Sequence, residues 1–153
     1  MTHTFLPGAA LLALALLSAG PAAAQAKPKP RAKATAASGA SAPAQLAQGK
    51  KVYTQYCLTC HQADGGGVQN MNPPLTQTTY VLGDKARLVG IILHGFAERV
   101  EIKGETYNNV MPAHDFLTDA QIAGLLTYVR GSFGNKAGPV SAAEVQAVRA
   151  AGK

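Results

Sequence analysis

Cys57 and Cys60 are the only cysteines in this 153-residue chain, and His61 follows the second directly. Two thiols and an imidazole within five positions admit three readings. A redox disulfide needs a βαβ context, and no buried-strand pattern precedes Cys57. A structural zinc site takes four ligands, usually from two paired motifs, and only one pair exists here. The third reading is covalent haem attachment, of which C-x-x-C-H is the signature. Two thiols add across the two vinyl groups of one haem, and the neighbouring imidazole binds its iron from the same side. On one turn of helix the three residues share a face. The haem reading is favoured, with the other two as alternatives.

The flanking pattern is helical. In "AQLAQGKKVYTQYC", Leu46, Gly49, Val52, Tyr53 and Tyr56 recur at i, i+3, i+4 spacing. Gly49 in mid-helix costs about 1 kcal/mol against Ala, so it calls for a packing reason. A second helix is expected in "GDKARLVGIILHG", capped by Asp84, with a Leu88, Ile91 and Ile92 stripe, and ended by Gly95. The third is the clearest. Thr118 caps it, Asp119 suits the first turn, Ile122, Leu125, Leu126 and Val129 form one face, and Gly131 follows Arg130 as a stop. Val100 and Ile102 alternate before Gly104, which suggests a small hairpin. Ser141 and Glu144 have capping-box spacing before a short C-terminal helix. About 90 residues with three main helices and long loops make a marginal core, so something else should fill the middle. A haem would.

The formal charge of +6 is unevenly spread. Lys27, Lys29, Arg31 and Lys33 fall within seven positions, and no acid precedes Asp64. From Ala44 onward ten basic and eight acidic residues nearly balance. The basic character belongs to an arm, and the body has no basic face interleaved with aromatics, which argues against a nucleic-acid partner. Residues 1–26 read as an export signal, with an apolar run from Gly8 to Ala19 and small residues in "PAAAQA". That run is shorter than the roughly 20 residues a membrane span needs. Periplasmic export is therefore expected, with an uncleaved N-terminal anchor as the lesser alternative. Residues 27–43 lack Leu, Ile, Val and aromatics and are expected to form a disordered basic linker. Such a linker offers weak contact with a partner or an anionic membrane surface. The expected folded domain is 44–136, followed by a tail, 137–153, with its short helix.

"GKKVYTQYCLTCH", "NPPL" and "NNVMPAHDFLTDAQIAGLLTYVR", with the distances between them, resemble a class I, single-haem cytochrome c over roughly Gln45 to Gly134. The resemblance implies an all-α fold of three main helices around one haem c held by Cys57 and Cys60. It implies His61 as proximal iron ligand and Met111 as distal ligand. It also makes Pro73 the carbonyl that accepts from the second nitrogen of His61, and Leu75 a side chain packed on the ring. Gly49 and Tyr53 would cross against Leu125 and Tyr128.

Met71 lies only ten residues after His61, too few to reach the opposite face of a haem, whereas Met111 lies 50 away and precedes Pro112. His94 and His114 are the chemical rivals for the sixth position. Tyr107, Asn108 and Asn109 are candidate donors to a haem propionate, with an ordinary turn as the alternative. Six-coordinate iron leaves no open site for substrate, so the expected function is one-electron transfer and not catalysis. More loosely, "ILHG", the hairpin stretch and "PVSAAEVQAVRA" resemble cytochromes that serve periplasmic quinoprotein dehydrogenases. The implied partners are such a dehydrogenase as donor and a terminal oxidase or another cytochrome as acceptor. A haem enzyme or sensor with an exchangeable sixth ligand is the alternative.

Overall fold

The computed structural model describes residues 41–152. The expected signal and most of the expected linker lie outside the described residues. Six helices and one hairpin occur among them: α1 (Ala42–Tyr56), α2 (Leu58–His61), α3 (Thr79–Leu82), α4 (Lys85–His94), β1 (Val100–Ile102), β2 (Glu105–Tyr107), α5 (Asp119–Gly131) and α6 (Ala142–Ala151). Helix α1 takes in Ala42 and Pro43, two residues expected in the linker. Proline is tolerated in a first turn because its missing N–H would have no intrahelical partner there. No described helix is long and apolar enough to cross a membrane.

Helices α1 and α5 make the most extensive contact in the fold, with α6 laid across α4 and α5. The expected face of α1 turns inward at Gly49, Val52 and Tyr53, while Leu46 and Tyr56 stay partly exposed. At the crossing, a Cβ on Gly49 would fall on the carbonyl of Gly124 and press on the Tyr128 Cβ. The helices therefore meet backbone to backbone. The partner differs by one position from the expected one: Gly124 takes the crossing, and Leu125 turns into the central cavity. Tyr53 does meet Tyr128, with ring centroids 5.6 Å apart, and also Phe133 at 5.2 Å.

Helix starts follow local chemistry. Asp84 accepts from the Arg87 N–H at 2.7 Å, and Thr118 with Gln121, like Ser141 with Glu144, completes a capping box. Gly95 ends α4 with φ 78°. Gly131 is still helical, and α5 stops one residue later, at Ser132. The hairpin pairs Val100 with Tyr107 and Ile102 with Glu105.

The C-terminal stretch is packed rather than trailing: Val140 and Val145 are wholly buried. Val140 is held by Thr127, whose hydroxyl accepts from its N–H at 3.0 Å. Arg130, also buried, ties the α3 end to this stretch. Its Nη1 donates to the carbonyls of Val81 (2.6 Å) and Gly83 (3.2 Å), and its Nε to that of Gly138 (2.8 Å). Asn135 similarly donates to Leu75 and Val129 and accepts from the Gln77 N–H.

Two predictions follow from this packing. Gly49→Ala should destabilise the protein by about 1–3 kcal/mol through overpacking, despite Ala's better helix propensity. Gly90, inside α4, has open space around it. Gly90→Ala should therefore stabilise by about 0.5–1 kcal/mol, both changes being read from guanidinium denaturation midpoints. Glu144 is held down to about 2 by the Ser141 backbone bond first, then by Lys85 and the Ser141 hydroxyl. A depressed carboxyl stabilises the fold above its ordinary pKa, and the contribution fades as pH falls from about 4.5 towards 2. Exposure keeps it small. Glu144→Gln should lower the neutral plateau of the melting temperature slightly and flatten part of its acid limb, so that variant and wild type converge in acid.

Candidate functional site

The site begins where α1 ends. Cys57 caps α1 with φ −113° and ψ −29°, its carbonyl accepts from the N–H groups of Cys60 (3.2 Å) and His61 (2.9 Å), and α2 forms one further turn. Gln62, with φ 63°, stops it. Cys57, Cys60 and His61 thereby line one cavity, as the helical spacing predicts. No disulfide joins Cys57 to Cys60. Burial, and then its neighbour Cys60, pushes the Cys57 thiol up to about 11. Among the described residues no group of three or more His, Cys, Asp or Glu side chains is placed to hold a metal ion.

The loop after α2 turns back under His61. Gly67, at φ 71°, donates its N–H to the His61 carbonyl at 3.1 Å, and a Cβ there would strike the Asn72 and Pro73 carbonyls. Glycine is needed on both counts. This fold-back brings the Pro73 carbonyl to 3.0 Å from His61 Nδ1. With the proton on Nδ1, the lone pair lies on Nε2. Burial, outweighing the Pro73 bond and assisted by His114, lowers the His61 pKa and favours the neutral ring.

The remaining walls are mostly carbon. Helix α4 supplies Leu88, Ile91 and Ile92, α5 supplies Leu125, Leu126 and Val129, and the loop after Pro73 supplies Leu75. The hairpin adds Val100, Ile102 and Tyr107. It is pinned over the slot by Lys103 Nζ to the Thr76 carbonyl (3.0 Å), Gln69 to Glu105 (3.2 Å) and Asn109 to Asn72 (3.2 Å). Met111 enters from the loop after the hairpin. It exchanges two backbone hydrogen bonds with Phe96, at 2.8 and 2.9 Å.

The structure sorts the sequence candidates. Cys57, Cys60, His61, Pro73, Leu75, Tyr107, Asn109 and Met111 all line the slot. Asn108 does not. Met71 is 50 % exposed and outside it, and His94 is exposed at the end of α4. His114 does line it, with Nδ1 bonded to the Pro112 carbonyl at 2.9 Å. Sequence reasoning missed Tyr80, Val81 and Phe96 as wall residues. Tyr80 and Val81 sit on the four-residue α3, too short to show a period, although the Thr78 cap marks its start.

Two thiols, an imidazole with its outer nitrogen anchored, a thioether and apolar walls fit a flat, hydrophobic, covalently attached metallocycle. A family model for cytochrome c matches residues 46–132. The chain belongs to the cytochrome c family. Cytochromes c carry haem c, joined through the cysteines of C-x-x-C-H, and here those are Cys57 and Cys60. One relative is cytochrome c-552 of Thermus thermophilus, 34 % identical over 113 residues, which cover 68 % of this chain and 86 % of that protein. Another is the cytochrome c subunit of a quinone alcohol dehydrogenase from Gluconacetobacter polyoxogenes, 35 % identical over 116 residues, 74 % of this chain. A third is the cytochrome subunit of fructose dehydrogenase from Gluconobacter japonicus, 34 % identical over 121 residues, again 74 % of this chain. This cytochrome c spans only about a quarter of those two subunits' length.

Covalent attachment has a direct readout. Haem should stay with the wild-type chain through denaturation and acid–acetone extraction. Cys57→Ala or Cys60→Ala should keep it through a single thioether, with the alkaline pyridine spectrum moved to longer wavelength. Replacing both should release it.

Proposed function

We propose that this cytochrome c carries one electron at a time in the periplasm, and that His61 and Met111 would hold the haem iron. A quinoprotein dehydrogenase would be its donor and a terminal oxidase or another cytochrome its acceptor. The observation that carries the reading is that Met111 shares the apolar slot with His61 while Met71 and His94 lie outside it. Haem c supplies a one-electron ferric–ferrous couple. Everything else is done by the chain. His61, held by Pro73, offers a lone pair of fixed direction. Met111 offers a thioether, a poorer donor to ferric iron than a second imidazole, which sets the potential higher. Leu75, Ile92, Leu126 and the inner face of the hairpin keep water out, and Tyr107, buried at the wall, is offered as a propionate donor.

The dehydrogenase end of the proposal is supported by the two relatives named as dehydrogenase cytochrome subunits. The oxidase end is supported by a cbb3-type cytochrome c oxidase subunit from an Azospirillum species, 37 % identical over 105 residues, 63 % of this chain and 32 % of that subunit. His114 favours a second reading, because it lines the same slot. In that reading the sixth position exchanges, as a haem enzyme or sensor needs.

Absorption spectra separate the two. The ferric wild type should show a low-spin spectrum with the Met–iron charge-transfer band, and Met111→Ala should lose that band. The reduced wild type should bind no carbon monoxide at neutral pH. Ready binding would favour the exchangeable-ligand reading and remove the carrier assignment.

A further inference from the structure

The segment between Met111 and α5 is held from two sides. On one side, Met111 is bonded to Phe96, and the His114 N–H donates to the Ile92 carbonyl at 2.8 Å. On the other side the Tyr56 ring packs on His114 and Phe116, and a single side chain supplies the hydrogen bonds. Arg149, in the last turn of α6, donates through Nη1 to the Asp115 carbonyl (2.9 Å), through Nη2 to the Leu117 carbonyl (2.7 Å), and through Nε to the Asp119 carboxylate (2.8 Å). All three donors converge on residues 115–119, 30 to 34 positions away in sequence. An exposed ion pair alone is worth little. A guanidinium fork that also satisfies two backbone carbonyls fixes orientation as well as distance. Leu117 is buried, yet Phe116 beside it is 61 % exposed, so this stretch is only partly held by its own burial.

We infer that Arg149 is a positioning residue whose fork holds residues 112–118 in the arrangement that presents Met111, and not His114, to the iron. The inference rests on the proposed ligation by Met111. His114 lines the same slot three residues further on. Imidazole is the stronger donor to ferric iron, so ligand identity depends on backbone placement and not on intrinsic affinity. Helix α6 is itself fixed at its other end by buried Val145 and by the Lys85–Glu144 pair at 2.9 Å. Arg149 thus passes the packing of α6 against α4 and α5 on to the ligand loop. Losing the fork frees two carbonyls to water and lets the loop shift by the short distance that exchanges the two side chains.

The test uses ferric holoprotein. In Arg149→Ala the Met–iron band should weaken as His114 takes the sixth position, and in Arg149→Ala combined with His114→Ala added imidazole should displace Met111 about tenfold more readily than in His114→Ala alone, as expected if roughly 1.4 kcal/mol of loop restraint is gone. Adding His114→Ala to Arg149→Ala should restore the band. A band that stays weak in the double variant would overturn the role given to His114. Arg149→Lys keeps the charge near Asp119 but loses the planar fork, and should fall between wild type and Arg149→Ala. It also decides the matter if Arg149→Ala does not accumulate. A band and an imidazole affinity within twofold of the matching parent, wild type or His114→Ala, in every Arg149 variant obtained would overturn the inference. Met111→Ala keeps the two readings apart: survival of the band there removes Met111 as ligand, whatever the Arg149 variants do. Loss there, with unchanged Arg149 variants, removes only the positioning role.

Discussion

Everything in this fold is referred to the close passage of α1 over α5 at Gly49 and Gly124. Two small residues let two backbones touch, and the contact leaves little freedom in the crossing. Because the attachment turn is the direct continuation of α1, that crossing also aims Cys57, Cys60 and His61 along the inner side of α5, where Leu125, Leu126 and Val129 form a wall. A bulkier pair would separate the helices and widen the slot in the same movement. The glycines are therefore part of the site although they never face it.

The slot explains why so small a domain leaves so much apolar surface facing inward. Helices α1 to α5, the hairpin and the loops between them all contribute side chains to one slot. Burial of apolar area is the main favourable term in folding, and here much of it is arranged around a group supplied from outside. Stability and redox function are thus coupled: the same Leu and Ile side chains that would be the core of an ordinary helical domain are the dielectric around the iron.

Much of this was legible in the residues. Asp84, Thr118 and Ser141 announce their helices because capping is a matter of four neighbouring residues. The C-x-x-C-H turn and the hairpin are equally local. Long-range placements were harder. Gly124 instead of Leu125 at the crossing is a shift of one position, and helical periodicity cannot separate neighbours on the rim of a face. Arg130 has the sequence position of a surface cation near a helix end, yet it is buried, because the carbonyls it serves belong to α3 and to Gly138. The tail's own residues form one short helix; the surfaces of α4 and α5 that it packs against lie elsewhere in the chain, and nothing local in the tail marks them. The site was legible through its chemistry-bearing residues, whereas its apolar walls include residues of α3 that carry no motif.

The position of the attachment turn in the chain has a consequence for assembly. Cys57 to His61 come before almost every residue that walls the slot: Leu75, α4, the hairpin, Met111 and α5 all follow. A chain made from its N-terminus offers the two thiols while the walls are still unmade or unfolded. The bond-forming step can then act on an open turn, and later helices close over a ligand already tethered. Had the motif lain at the C-terminus, the walls could have collapsed on one another first, and the ligand would have had to force its way in.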